Sequence, residues 1–544
     1  MRRVVVVSIM IGLVALIAGA VAGAVALTGR APHTTRTCLA PGGDGVYACL
    51  PATKPSTIPA TKPSTTKPKP KPKHATVTVD LAATQAAVRH QFGTYRSEER
   101  TDWDKIYDVD STLGPLGMVS NRMQISLEDG EIAADGTWTD AKGTQRGILR
   151  LLAKSSTDDV LVTVGFPWTA RAQKFIAGGF TDAAWRPYFR RVYSTLAKAL
   201  AGAAVGKPVL VEIFGEPDLG VWDWVYGKDR TRVFDVARMV HDEFRRYPGF
   251  KVGGLGFACP EQDLICLPRY VDAFVDYAKG HGMRFDFWSF HAYLGWTDAT
   301  DTSQYPPAPG PYNFASRAAK FRAALQRKGL GGATIVCTEY AWQDGDGAAS
   351  WGFKDAKKSA RRSMTDHRSA ARALHAIDIV RATPSVDRAY WAQGVGTAFG
   401  PPDQKYAYAY NPLVVYHNGA YRYKAGYYAF WMYGKLAGAR GVAAVASNPK
   451  LGVLATKRGV VVYNKSPAAQ PVSLAVSGAP GDTPCELYIV DAHSYKLSAG
   501  GLEAVVSGPT RPVPPRVAGV TTLAQAQARL ASLGPEAVAC LLFV

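Results

Sequence analysis

Several signatures are missing from this 544-residue chain. No glycine-rich phosphate loop follows its first β-type run, which argues against an open, doubly wound nucleotide-binding sheet. Its seven cysteines show no metal-type spacing, which excludes the common zinc architectures. No internal repeat is present, which excludes a solenoid. Acidic residues are nearly absent from residues 1–75, where ten Lys or Arg face a single acid, Asp44. That segment therefore holds about half of the formal net charge of +19. The excess is concentrated there and no recognised nucleic-acid motif is present, so the charge does not imply a nucleic-acid partner. Hydrophobic residues make up 47% and charged residues 20%, which excludes both wholesale disorder and a polytopic membrane protein.

What is present begins with Met1-Arg2-Arg3 and an uncharged stretch from Val4 to Gly29. About 20 apolar residues span a bilayer, whereas a secretory signal needs only ~7–15. Residues 1–30 read as an uncleaved signal-anchor touching the membrane through 4–29, with a cytoplasmic N-terminus. The alternative is a signal peptide cleaved near Ala18-Gly19-Ala20 or Ala24-Val25-Ala26. Either way the rest of the chain is exported: membrane-anchored, cell-surface or extracellular, and secreted if the signal is cleaved. Residues 31–74 contain Cys38 and Cys49 and then a Pro/Thr/Lys-rich run from 51 onward. That run favours extended polyproline II and cannot form a core, so it reads as a basic linker able to contact anionic envelope polymers. Export permits disulfides, and the expected pairs are Cys38–Cys49, Cys259–Cys266 and Cys485–Cys540. Cys337, inside an apolar strand, is expected to be a buried small hydrophobe.

From 75 to 440 short β-type runs alternate with helical patterns. The runs lie at Phe92–Tyr95, Val119–Ile125, Val160–Phe166, Val209–Phe214, Lys251–Phe257, Phe285–His291, Thr334–Thr338 and Arg388–Trp391. Helical patterns include Asp182–Leu200, Thr231–Arg246, Tyr270–His281, Asn313–Lys328 and Ser369–Thr383, with Lys424–Leu436 after the last run. Eight such units predict an α/β fold, a closed TIM (β/α)8 barrel. Active sites of such barrels lie at the C-terminal ends of the strands. Glu216 follows the fourth run and Glu339 the seventh, each leaving an apolar strand for a polar mouth. Period-two alternation puts His291 and Tyr293 on one face of their strand.

The motifs at these strand ends are Glu-Pro-Asp at 216–218, Lys-Val-Gly-Gly at 251–254, Ser-Phe-His-Ala-Tyr at 289–293 and Thr-Glu-Tyr at 338–340. In this order and on these strands, the set resembles glycoside hydrolase family 39, within the retaining barrel glycosidases of clan A. The resemblance covers roughly residues 88–440. It implies Glu216 as acid/base and Glu339 as nucleophile in a two-carboxylate double displacement on a carbohydrate, with no cofactor and no metal. It makes Tyr293 a hydrogen-bond partner of the nucleophile and His291 a pocket residue or a holder of the acid. Arg122 on the second strand fits a clan position and is a candidate for substrate binding, or for pairing with Glu339 or an inward-pointing Glu212. Trp168, Trp296, Trp342 and Trp391 are candidates for stacking on sugar rings, as are Trp222 and Trp224; Asp218 reads as a loop cap. The resemblance departs at Gly215, where clan members carry Asn against the sugar 2-hydroxyl, and at Phe214 in place of Trp. That departure leaves open a compensating residue, an unusual sugar, or a non-catalytic glycan-binding or envelope-scaffold protein on a decayed barrel.

From 441 to 544, short alternating runs with Gly, Pro and Asn punctuation predict an accessory β-sandwich. In the family the N-terminal segment often adds a strand to it, a role open to Ala75–Leu81.

Overall fold

The computed structural model describes residues 37–38, 49–50, 74–95, 113–139, 157–204, 206–218, 230–258, 269–292, 314–341, 366–392, 394–397, 413–498 and 507–544. The chain divides into two units, Met1–Lys73 and His74–Val544. In the first, Thr37–Cys38 and Cys49–Leu50 pair antiparallel, with Cys38 opposite Cys49. The candidate anchor at 4–29, most of the linker and the Cys259–Cys266 segment lie outside the described residues. No described helix is long and apolar enough to cross a membrane.

The second unit opens with a 13-residue strand, β1 (Ala75–Ala87), followed by β2 (Phe92–Tyr95), β3 (Ser120–Glu128), β4 (Asp159–Trp168) and β5 (Val209–Gly215). Next come β6 (Phe250–Phe257), β7 (Phe287–His291), β8 (Ile335–Tyr340) and β9 (Arg388–Ala392). Strands β2 to β9 close on themselves in sequence order. All eight pairings are parallel. This is the predicted barrel. Parallel strands are covered on both faces, which is why β4 and β5 read as largely apolar runs rather than alternating ones, interrupted inside the barrel by Thr163 and Glu212.

The outer layer is helical: α1 (Ala170–Ala177), α2 (Trp185–Ala203), α3 (Arg230–Phe244), α4 (Tyr270–Gly280), α5 (Phe314–Arg327), α6 (Arg368–Arg381) and α7 (Ala425–Leu436). On α2 the buried residues Trp185, Tyr188, Phe189, Val192, Leu196 and Leu200 recur at helical spacing and form one stripe against the barrel. Inside the barrel, Leu161, Leu210, Phe287, Val336 and Tyr390 form a dry floor. At the same end, Arg388 is paired with Asp159 at 2.6 Å, and the Tyr390 hydroxyl donates to Ser120 Oγ at 2.7 Å. A barrel plugged at one end in this way can open only at the other, where the strands' C-termini lie.

The C-terminal strands are β10 (Arg440–Ala446), β11 (Leu451–Thr456), β12 (Gly459–Asn464), β13 (Gln470–Ser477), β14 (Cys485–Val490), β15 (Ser532–Leu533) and β16 (Val538–Phe543). These strands and β1 are hydrogen-bonded in one continuous order of eight, β14-β16-β12-β11-β10-β1-β13-β15, with β10 joined to β11 through the single pair Gly441 and Thr456. Strand β1 lies within it, antiparallel to β10 and parallel to β13. Val77 and Val79 of β1, Leu474 of β13 and Leu487 of β14 share one buried cluster, so distant parts of the sheet curl over a common core. The other face packs on the barrel's helices, with Trp431 of α7 edge-on to Tyr488 at 5.0 Å.

The Cys485–Cys540 bridge is not formed; both thiols are free and buried. In the antiparallel register Cys485 faces Phe543 and Cys540 faces Tyr488. The offset of three residues puts them on opposite faces of the sheet. Cys485 accordingly joins the inner core, and Cys540 the layer against the barrel helices. Cys337 is fully buried, as expected, and burial pushes its thiol pKa well up.

Candidate active site

On the mouth side, charge inside the barrel begins one layer above the floor. On β5, Leu210 points into the floor, and Glu212, two residues on, points inward above it. Glu212 is fully buried. Burial acts to raise its carboxyl pKa, but the Arg122 and His291 charges and two threonine hydroxyls outweigh it and leave the group below its ordinary value. Arg122 donates through Nη2 to Glu212 Oε2 at 2.8 Å. Thr163 donates to the same oxygen at 2.6 Å and Thr338 to Oε1 at 2.5 Å. A Cβ on Gly256 would lie 2.7 Å from Glu212 Oε1, so only glycine leaves room for this carboxylate. Thr163, Thr338 and Gly256 were not read from the sequence. The two threonines sit at inward positions of β4 and β8, a signal that period-two counting from the floor residues would have given.

Arg122 also donates through Nη1 to Glu339 Oε1 at 2.7 Å. Its guanidinium thus joins a buried carboxylate to one at the mouth, where the Glu339 side chain is 13% exposed. Arg122 is itself fully buried, and of the roles expected for it the structure shows the pairing, with Glu339 and with Glu212 at once, rather than an exposed substrate contact. Glu339 reaches the interior through an irregularity. Thr338 already faces inward, so simple alternation would turn Glu339 out. The β8 register shifts after Cys337 against both neighbouring strands, and this bulge brings the two consecutive side chains inside.

Glu216 arrives by a different device. Phe214 (φ +53°) and Glu216 (φ +56°) both adopt the left-handed region, on either side of Gly215. Each such non-glycine residue costs about 1–2 kcal/mol, and strain of this kind collects at functional sites. The Glu216 backbone N–H is held by the Gly256 carbonyl at 2.7 Å. Its side chain is about a third exposed at the barrel mouth. Asp218 is buried, and its carboxylate accepts from Ala258 N at 2.8 Å, just past the end of β6.

His291 links the two mouth carboxylates. Its Nδ1 lies 2.8 Å from Glu216 Oε1 and 3.5 Å from Glu339 Oε2. Nε2 is buried with no hydrogen-bond partner among the described residues, so the ring's polar contacts run through Nδ1. Burial alone would lower the imidazole pKa, but the two carboxylates outweigh it and raise the value above 6.5. One donor atom each from Glu216, His291 and Glu339 lies within 4.8 Å of the others. Among the described residues this is the one such cluster, and three donors at this spacing could share a cation.

The aromatic candidates divide. Trp168 ends β4, half-buried and edge-on to Phe166 at 6.0 Å. Trp391 is corrected: it is fully buried between the barrel and α7, edge-on to Tyr340 and to Phe430 at 5.3 Å each, and offers no face to a sugar. Tyr390 points into the floor, so its neighbour must point out. Tyr293, Trp296, Trp342, Trp222 and Trp224 lie outside the described residues.

No protein-family model matches the chain, and no curated protein matches it. Solved structures do. A monomeric β-xylosidase from Caulobacter crescentus aligns at TM-score 0.56 and 15% identity, over 86% of this chain and 98% of its own. A bacterial orthologue of human α-L-iduronidase aligns at 0.56 and 16%, over 87% and 84%. A glucosidase from Croceicoccus marinus aligns at 0.53 and 13%, over 87% and 100%. At these identities the likeness shows a shared fold: the eight-stranded parallel barrel on which these glycosidases are built.

Proposed function

We infer that the protein is a retaining glycoside hydrolase acting on an extracellular or cell-envelope polysaccharide. The observation that carries this reading is that one carboxylate oxygen of Glu216 lies within 4.8 Å of one of Glu339 at the open end of the barrel. Retaining enzymes hold their two carboxyl groups about 5–5.5 Å apart, whereas inverting ones need about 6.5–9.5 Å to admit a water. Glu339, oriented by Arg122, attacks the anomeric carbon. The bond to the leaving oxygen breaks as Glu216 gives that oxygen a proton, and a glycosyl ester forms on Glu339. Glu216 then takes a proton from water, the water oxygen attacks the anomeric carbon, and the ester bond breaks to restore Glu339. His291 holds the orientation of Glu216 through its 2.8 Å contact and lies 3.5 Å from Glu339.

The neighbours named above bear the names of enzymes for several sugars, which fits a scaffold whose specificity lies in its loops. The segment at 4–29 would hold the enzyme at the membrane if uncleaved, with the basic linker between.

The test is trapping with a panel of 2-deoxy-2-fluoro glycosyl fluorides, followed by peptide mapping. Label on Glu339 is expected and identifies the glycone. Label on another residue, or cleavage of a glycoside without label, would count against the mechanism. Glu216→Gln should slow hydrolysis of unactivated glycosides by about 10²–10⁴-fold, and an unchanged rate removes Glu216 as the acid. A chelator should leave the rate unchanged; a loss on chelation points instead to a cation held by the same three donors. The decayed-barrel reading rests on Gly215 and predicts glycan binding with neither label nor turnover.

A further inference from the structure

We propose that Gln124 is a substrate-contacting residue whose side-chain amide binds the hydroxyl next to the anomeric carbon, across the gap that Gly215 leaves in the barrel wall. This rests on the glycosidase reading above and adds a residue to it.

The register of β3 against β4 is unbroken from Ser120 to Ile125. Arg122 and Gln124 therefore share the inward face, and Gln124 stands one pleat nearer the mouth. It lies opposite Thr163, which in turn lies opposite Glu212. Gln124 thus belongs to the ring of side chains that carries the charged network, one step above the arginine that holds Glu339. Gly215 precedes Glu216 directly. A Cβ built on Gly215 would meet a single described atom within 4 Å, the Gln124 Oε1 at 3.9 Å. Among the described residues other than the two chain neighbours, then, only an amide approaching from β3 comes within 4 Å of that position.

That amide is suited to a sugar. The anomeric carbon must lie within reach of both Glu216 and Glu339, so the hydroxyl on the adjoining carbon lies within a few ångströms of the same pair. As the ring gains positive charge in the transition state, hydrogen bonds to this hydroxyl strengthen. A hydroxyl both donates and accepts, and an amide offers both roles, so the pairing works with either orientation of the glutamine. The neutral amide also leaves the charge balance of the two carboxylates undisturbed. The inferred preference is for glycones that carry a free 2-hydroxyl, against 2-deoxy sugars.

The experiment compares kcat/KM on two substrates. One is the 4-nitrophenyl glycoside that the wild type cleaves fastest among xylosides, glucosides, arabinosides and glucuronides; the other is its 2-deoxy counterpart. Gln124→Ala should lower kcat/KM by about 10–100-fold on the hydroxylated glycoside and less than about threefold on the 2-deoxy one. Gln124→Asn, which withdraws the amide by one methylene, gives the same readout if the alanine variant does not fold. Adding Gly215→Asn to Gln124→Ala brings an amide into the gap from the opposite wall and should recover activity on the hydroxylated substrate alone. Equal losses on both substrates, or none on either, would overturn the proposal. If Glu339 is still labelled in that case, the parent mechanism stands and only the role of Gln124 falls. A wild type that cleaves no member of the panel overturns both.

Discussion

Arg122→Met isolates the buried charge network, because methionine keeps most of the aliphatic stem and deletes the guanidinium. In the native barrel that group makes contacts of 2.8 and 3.2 Å to Glu212 Oε2, 2.9 Å to Thr163 Oγ1 and 2.7 Å to Glu339 Oε1. Without it, fully buried Glu212 keeps the Thr163 and Thr338 hydroxyls, which cannot neutralise a carboxylate, and the His291 charge, which makes no hydrogen bond to it among those described. Removing one partner of a buried ion pair costs about 3–5 kcal/mol, because the remaining charge is stranded in low dielectric. Glu212→Gln in the same chain removes the stranded charge while keeping an acceptor for one threonine and offering the other hydroxyl an amide donor. The double variant should therefore lose less than the sum of the single losses, by about 2 kcal/mol or more. Urea denaturation of all four proteins measures this coupling directly. Additivity within about 0.5 kcal/mol, or a loss below about 1 kcal/mol for Arg122→Met alone, would refute the assignment of the network. Stability and activity should also separate. The double variant regains stability, yet Glu339 still lacks its 2.7 Å donor, so turnover should stay depressed.

Gly256→Ala should destabilise the protein by about 1–3 kcal/mol and reduce activity, since the new methyl lies 2.7 Å from Glu212 Oε1 and must displace it; unchanged stability in the same urea assay would contradict this packing. His291→Gln should lose stability in a pH-dependent way. The folded imidazole binds its proton more tightly than the unfolded one, so its contribution is complete below about pH 6.5 and fades as pH rises through the higher folded value. Melting curves should show a wild-type advantage that is larger near pH 5.5 than near pH 9; a constant or growing difference contradicts the sign. Alkylation of denatured, unreduced protein should modify Cys337, Cys485 and Cys540, and a peptide linking Cys485 to Cys540 would contradict the sheet register.

The barrel was legible because its parallel strands are buried on both faces and so stand out as apolar runs between helical stripes. The two carboxylates were legible because each follows such a run into polar surroundings. How each side chain enters the site was not. Counting by two from Val336 puts Thr338 inside and Glu339 outside; only the register shift after Cys337 admits both, and a bulge is a property of three strands together. The left-handed turn at Phe214 and Glu216 is hidden for the same reason, since neither residue type favours it and the surrounding barrel must hold it in place. Trp391 is the opposite case. Alternation is regular there, and with Tyr390 in the floor it sends the indole outward by counting alone. The strand order at the C-terminus lay beyond reach on other grounds: strand pattern reports which residues face a core, but not that β1, more than 350 residues away in sequence, pairs between β10 and β13. The distinction runs through the active site itself. Position along a strand is written in the local pattern, whereas the phase of that pattern is set by neighbours. Both mouth carboxylates, Glu216 and Glu339, sit where the phase is broken, whereas Glu212 below them follows it, so an inward-pointing acid at a strand end is best sought where strict alternation fails.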